Sequence, residues 1–289
     1  MALGCVGWIL LRFVQTGVLK QLWNSPHLGS LVGSIGIAIP IYAAGLCSAG
    51  LAWCCLQTAF LADRPRLRPL FSAYAVTQFA KYLPGNVGHY VGRHLLMRNL
   101  GMSHRALLLA TFAEAGLLVL ASLVWAADAI GVLAPWLPFS VTTGEVALVE
   151  CVCIGTAFIA LQWWRRRNSR VEAWIPLHAP SWMLPVLPLQ LLLFGAMALS
   201  LMAPAQVLLQ DAADVWLLPA AAAASWVAGF VVIGAPGGLG VREVVFLALL
   251  HGHMPEKDIL LLAAVFRIVT FGGDIVFMFL GVILRSRPI

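Results

Sequence analysis

Lys81-Tyr-Leu-Pro-Gly-Asn-Val-Gly-His-Tyr-Val-Gly-Arg93 interrupts one hydrophobic run, and Gly234-Ala-Pro-Gly-Gly-Leu-Gly-Val-Arg-Glu243 interrupts another in nearly the same wording. Pro84-Gly85 and Pro236-Gly237 anchor the two copies. A Pro-Gly pair ends one helix and lets another begin, because proline removes an amide donor and glycine accepts backbone angles that other residues avoid. Flanked on both sides by apolar sequence, such a break describes an interrupted helix inside a bilayer, the place where carriers build substrate sites.

The surrounding composition sets the solvent. Over 289 residues the chain is 61% hydrophobic and 10% charged, with a mean hydropathy of +0.92. These values lie outside the range of soluble domains and describe an all-α, polytopic membrane protein. The net charge of +6 does not point to nucleic acid, because the basic residues form short clusters at the ends of apolar spans. Cys5, Cys47, Cys54, Cys55, Cys151 and Cys153 lie in apolar segments without the spacing of a zinc site or a disulfide frame. No cofactor and no metal site is expected.

Working outward from the two breaks, six full spans are expected at 1–19, 30–60, 106–127, 146–164, 182–203 and 257–284. Each can cross about 30 Å of hydrocarbon, the first only just. The N-terminal segment has no basic region ahead of its apolar stretch and reads as a short first span, not a cleaved leader. The segments 69–83 with 85–101, and 214–235 with 237–251, have arms too short to cross comfortably and are expected as two re-entrant helical hairpins. The whole chain, 1–289, then forms one membrane domain, with repeat 1 at about 30–130 and repeat 2 at about 182–285.

Charge placement agrees with that topology. With the N-terminus inside, Arg64, Arg66, Arg68, Arg98, Arg105, Arg165, Arg166, Arg167, Arg170, Arg285 and Arg287 fall on the cytoplasmic side. Lys20, Asp211, Asp214, Glu256, Lys257 and Asp258 fall outside. Positive residues are retained inside. Full crossing by both hairpin segments would satisfy the rule equally, so charge alone does not separate the two topologies. Three spans separate the hairpins, which therefore enter from opposite faces and make an inverted repeat. Pro84 precedes Ser103 by the same interval as Pro236 precedes Pro255, as a common unit requires.

A helix beginning after each break, with proline at its first position and Gly85, Gly88, Gly237, Gly238 and Gly240 removing bulk, presents unpaired amides to an anion. Asn86 sits in the same turn. Arg93 and Arg242 follow the two breaks, each with a guanidinium suited to two-point contact with phosphate oxygens. Arg93 can equally be a topology anchor, and Arg242 can pair locally with Glu243 or Asp274. Lys81 either adds a second cation beside the phosphate or snorkels to the interface. Glu114 and Arg267 fall at matching depths of the two repeats and invite a pair, while Asp274 shares a helical face with Arg267. Ionisable groups at these depths cost about 2.5–3.5 kcal/mol each against lipid, so they line a polar interior, as a substrate site, a locking ionic network, or both. His89 and His94 read as helix-packing residues, His251 and His253 as an external loop, and Trp163-Trp164 with Arg165-Arg166-Arg167 as an interface anchor.

These residues resemble a known family. Lys81-Tyr-Leu-Pro-Gly-Asn-Val-Gly-His89 with Arg93, and Pro236-Gly-Gly-Leu-Gly-Val-Arg-Glu243 with Arg267 downstream, are similar to the two signature regions of the lysylphosphatidylglycerol synthase transmembrane family, also called the flippase-like domain family. The resemblance runs from about residue 30 to the end. It implies a membrane domain that moves lipids between leaflets, without the soluble synthase found fused to the best-known members. It does not carry over which lipid, since stand-alone members are associated with phospholipids, polyprenyl-phosphate carriers and hopanoid-related products.

The expectation is a multi-pass flippase of a bacterial inner membrane, both termini cytoplasmic, passing an anionic phospholipid or polyprenyl-phosphate-linked lipid between leaflets. Its partners are the lipid and a lipid-modifying or glycosyltransferase enzyme. The alternatives are a membrane glycosyl or acyl transferase acting on a lipid carrier, and a non-transporting partner subunit of a lipid-modifying complex. The transferase is the runner-up. That reading needs an acidic pair near a surface, for which Asp211 with Asp214 is the one loop candidate.

Overall fold

A computed structural model describes residues 28–61, 66–83, 87–133, 143–169, 180–209, 215–232 and 234–285. The expected span 1–19 and the tip residues Pro84, Gly85 and Asn86 lie outside the described residues. Among the described residues the chain is helical throughout, with α1 (Leu28–Phe60), α2 (Leu67–Gln78), α3 (Gly88–Asn99), α4 (His104–Leu133), α5 (Thr143–Arg167), α6 (Val186–Leu208), α7 (Leu217–Val231), α8 (Val241–Leu250) and α9 (Glu256–Leu284). A 3₁₀ turn at Phe79–Tyr82 continues α2, another at Pro180–Met183 precedes α6, and a third at Pro236–Gly238 lies between α7 and α8.

Four segments are long and apolar enough to cross a membrane: Leu28–Phe60, His104–Ala127, Ser181–Leu208 and Glu256–Leu284. They match four of the expected spans. The expected span at 146–164 falls within α5, a helix of 25 residues that is not one of the four. α2 and α3 have 12 residues each, α7 has 15 and α8 has 10. At 1.5 Å per residue each of these arms is shorter than 30 Å.

The helices exchange partners between the two halves of the chain. α1 and α6, the first long helix of each half, make the most extensive contact. The last helix of each half lies on the first hairpin arm of the other: α9 on α2, and α4 on α7. Small residues allow this close approach. A Cβ at Gly45 on α1 would stand 2.7 Å from Ala196 on α6. One at Gly273 on α9 would meet the Tyr42 ring at 2.5 Å, and one at Gly281 would meet Ala75 at 2.6 Å.

Burial is inverted relative to a water-soluble bundle. Phe112 is 73% exposed and Ile283 74%, whereas Arg93 and Glu114 are each 2% exposed and Asp274 is 0% exposed. Apolar side chains outside and charge inside is the arrangement a hydrocarbon surrounding selects, because an ionised group facing lipid loses its hydration without compensation. The architecture is that of a multi-pass, all-α chain.

The second break differs in detail from the expected one. Pro236 opens a single 3₁₀ turn and not the helix itself, which begins at Val241. Gly237, Gly238 and Gly240 adopt φ of 57°, 72° and 81°. Residues in that region cannot propagate a right-handed helix, so α8 starts only after the last of them.

Candidate anion-binding cleft

Arg93 stands on α3, one helical turn past His89, and turns inward. It donates from Nη1 to Glu114 Oε2 on α4 at 2.7 Å and from Nη2 to Gln78 Oε1 at 3.4 Å. Its guanidinium carbon lies 3.7 Å from the Tyr74 ring centroid and 5.0 Å from that of Trp53. A guanidinium held between aromatic faces and a carboxylate has its charge offset on both sides. The anchor reading for Arg93 does not fit a side chain this buried. Its Nε has no hydrogen-bond partner.

The second half repeats this construction with the charges exchanged. Glu243 on the second arm accepts from Arg267 Nε on the last helix. Arg267 also donates to the Gly237 and Gly238 carbonyls, at 3.1 Å each, and so ties down the second tip. The expected Glu114–Arg267 pair is therefore replaced by two pairs, each internal to one half. The matching depths expected for Glu114 and Arg267 did not make them neighbours; each found an opposite charge on the hairpin of its own half.

Glu243 has a further role. Its Oε2 accepts from the Gly240 amide at 2.7 Å, so this helix start satisfies one of its donors with its own third residue. The expected free anion site on the α8 amides is thus partly occupied from within.

A third pair crosses between the halves. Lys81 Nζ donates to Asp274 Oδ1 at 2.8 Å, and Tyr82 Oη donates to Oδ2 at 2.6 Å. Lys81 neither snorkels nor remains free beside a ligand. Asp274 shares α9 with Arg267, yet the two serve different tips. Tyr82 also covers Gly237, where an added Cβ would lie 2.7 Å from its ring. The 3₁₀ turn before the first break therefore touches the one at the second.

Arg242 is left over. Among the described residues no carboxylate stands within ion-pair distance of it, since Glu243 and Asp274 are taken by Arg267 and Lys81. The side chain lies in a cradle of Gly229 and Gly238, where added Cβ atoms would meet it at 2.5 and 2.6 Å. Its Nε is buried without a partner, and its guanidinium carbon is 5.7 Å from the Trp226 ring centroid.

Arg242 and Arg93, on separate hairpins, line one narrow cleft, together with Lys81, Glu114, His89, Gln78, Tyr42, Tyr74, Tyr90 and Trp226. Arg242 also borders a smaller cavity with Glu243, Arg267, Ser225 and Thr270. Gly88 belongs to the first arm, where it passes close to the Ala80 carbonyl. Pro236 belongs to the second tip, and neither residue lines either cavity. His89 is buried against Tyr90, as a packing residue would be, but its Nδ1 is unpartnered and it lines the cleft. His94 lies elsewhere, 2.8 Å from His104. His251 and His253 are exposed in the turn between α8 and α9.

The tyrosines were missed by residue-type reasoning, although a signal was present. The chain has four, Tyr42, Tyr74, Tyr82 and Tyr90. Three line the cleft and the fourth holds Asp274. Membrane tyrosines usually gather at interfaces, so their confinement to α1 and the first hairpin marks a polar interior. Gly229 and Trp226, the seat and the wall of Arg242, carry no comparable mark.

The class defined here is an all-α protein with helices able to cross a membrane and a charged, aromatic-walled cleft between two interrupted segments. Comparison with models of known families and with curated proteins returns no match.

Proposed function

We propose that this protein is a lipid flippase that moves an anionic phospholipid or polyprenyl-phosphate-linked lipid between the leaflets of a bacterial inner membrane. The two hairpins act as re-entrant elements of an inverted repeat, and both termini lie in the cytoplasm. The observation that carries this reading is Arg242, a cation without a carboxylate, sharing a cleft with Arg93 and Lys81. An uncompensated guanidinium at this depth is costly unless an anion visits it. A lipid phosphate meets that need while its tails stay in hydrocarbon. The exchange of partners between halves supports rocking of one repeat against the other, since α9 and α4 each bear on the opposite hairpin.

The test is translocation of a fluorescent anionic lipid by protein reconstituted in liposomes, comparing the natural sequence with Arg242→Ala. The expected outcome is at least about a tenfold loss of rate, the loss of one charge-assisted contact of roughly 1.5–3 kcal/mol, with the variant still folded. Translocation at the natural rate by Arg242→Ala would refute the assignment.

A further inference from the structure

The charges of the interior can be counted. Among the described residues, three cations are matched to three carboxylates: Arg93 to Glu114, Arg267 to Glu243, and Lys81 to Asp274. Arg242 is the fourth cation. With His89 counted as a neutral imidazole, these seven side chains leave one positive charge, located where the larger cleft and the smaller cavity meet. Three unpartnered buried nitrogens, His89 Nδ1, Arg93 Nε and Arg242 Nε, belong to side chains lining that cleft.

We infer that the cleft is matched to a head group of one net negative charge, a phosphodiester such as that of phosphatidylglycerol, and discriminates against phosphomonoesters and diphosphates. The inference rests on the flippase reading and narrows its substrate class. A phosphodiester monoanion neutralises Arg242 and leaves no charge uncompensated. A phosphomonoester brings close to two negative charges near neutral pH, and a diphosphate more, so each leaves an excess anion in a site screened from water. A zwitterionic head group leaves Arg242 uncompensated. At separations of several ångströms and an effective dielectric near 20, one unmatched charge is worth roughly a tenfold change in affinity or more.

The experiment is lipid binding to purified, detergent-solubilised full-length protein, read by native mass spectrometry. The probes are phosphatidylglycerol, phosphatidic acid, a polyprenyl diphosphate, phosphatidylethanolamine and water-soluble glycerophosphoglycerol. The expected ranking puts phosphatidylglycerol about tenfold ahead of the other lipids. Asp274→Asn raises the interior by one charge and is expected to move the preference to phosphatidic acid. Adding Lys81→Met to it returns the count, and with it the preference for phosphatidylglycerol. Should Asp274→Asn not fold, Arg242→Gln alone lowers the count to zero without breaking any of these three ion pairs and is expected to abolish the advantage of phosphatidylglycerol over phosphatidylethanolamine. A natural preference for phosphatidic acid or the diphosphate, or a ranking unmoved by these substitutions, overturns the charge match while leaving the flippase reading intact. Equal binding of anionic and zwitterionic lipids, unchanged by Arg242→Gln, overturns both. If glycerophosphoglycerol binds as tightly as the lipid, the ligand is a soluble phosphodiester: the charge match stands and the flippase reading falls.

Discussion

Lys81 and Asp274 lie 193 positions apart in the chain and 2.8 Å apart in the fold. One belongs to the 3₁₀ turn that continues α2, the other to the last helix, so this pair binds the two halves of the protein together. Asp274 is fully buried. Removing Lys81 leaves it with Tyr82 as its one side-chain hydrogen-bond partner among the described residues. Lys81→Met is expected to destabilise the protein by about 3–5 kcal/mol, the cost of breaking one side of a buried pair. Asp274→Asn in addition should recover most of that loss. Thermal unfolding in detergent of the single and double variants checks both.

Arg93–Glu114 and Glu243–Arg267 occupy equivalent places with opposite polarity. Arg93→Gln or Glu114→Gln alone should each cost about 3–5 kcal/mol. Exchanging them, Arg93→Glu with Glu114→Arg, should be better tolerated than either charge reversal alone, because the second half already uses that polarity between α8 and α9. A double-mutant cycle on unfolding temperature measures the coupling.

Gly237 has φ of 57° and no room for a side chain beneath Tyr82. Gly237→Ala is expected to cost about 1–2 kcal/mol from the left-handed backbone alone, with a further penalty for separating the two turns. Tyr82→Ala should relieve the second part and leave the first. Comparing the two variants singly and together in thermal unfolding separates the contributions.

Gly229→Ala acts on the cleft, since its Cβ would stand 2.5 Å from the Arg242 side chain. The guanidinium must then leave its cradle. Anionic lipid binding is expected to fall about tenfold or more with loss of the charge-assisted contact, while helix content by circular dichroism stays unchanged.

Re-entry of the first hairpin can be checked directly. In a cysteine-free background, single cysteines at Arg66 and Leu100, which flank α2 and α3, should label with a membrane-impermeant thiol reagent from the same face. Labelling from opposite faces would establish a crossing.

Much of the scaffold was legible from local chemistry. The long apolar runs gave α1, α4, α6 and α9 to within a few residues, because a segment surrounded by hydrocarbon must close its own backbone hydrogen bonds. The Pro-Gly breaks placed the short arms for the same reason. The start of α8 was misplaced by four residues, since the pattern Pro236-Gly-Gly-Leu-Gly240 does not disclose how many glycines take positive φ.

From the sequence, Glu114, Arg242, Glu243, Arg267 and Asp274 were bound to face inward, because hydrocarbon penalises every ionised group exposed to it, whereas Arg93 could equally have been a topology anchor. Partnership was another matter. Which carboxylate meets which cation depends on the distance between side chains of different helices, and that distance follows from how α4 and α9 lie on the opposite hairpins. Only the packed helices matched Arg93, Arg267 and Lys81 and, among the described residues, left Arg242 without a carboxylate, through contacts that no local pattern encodes.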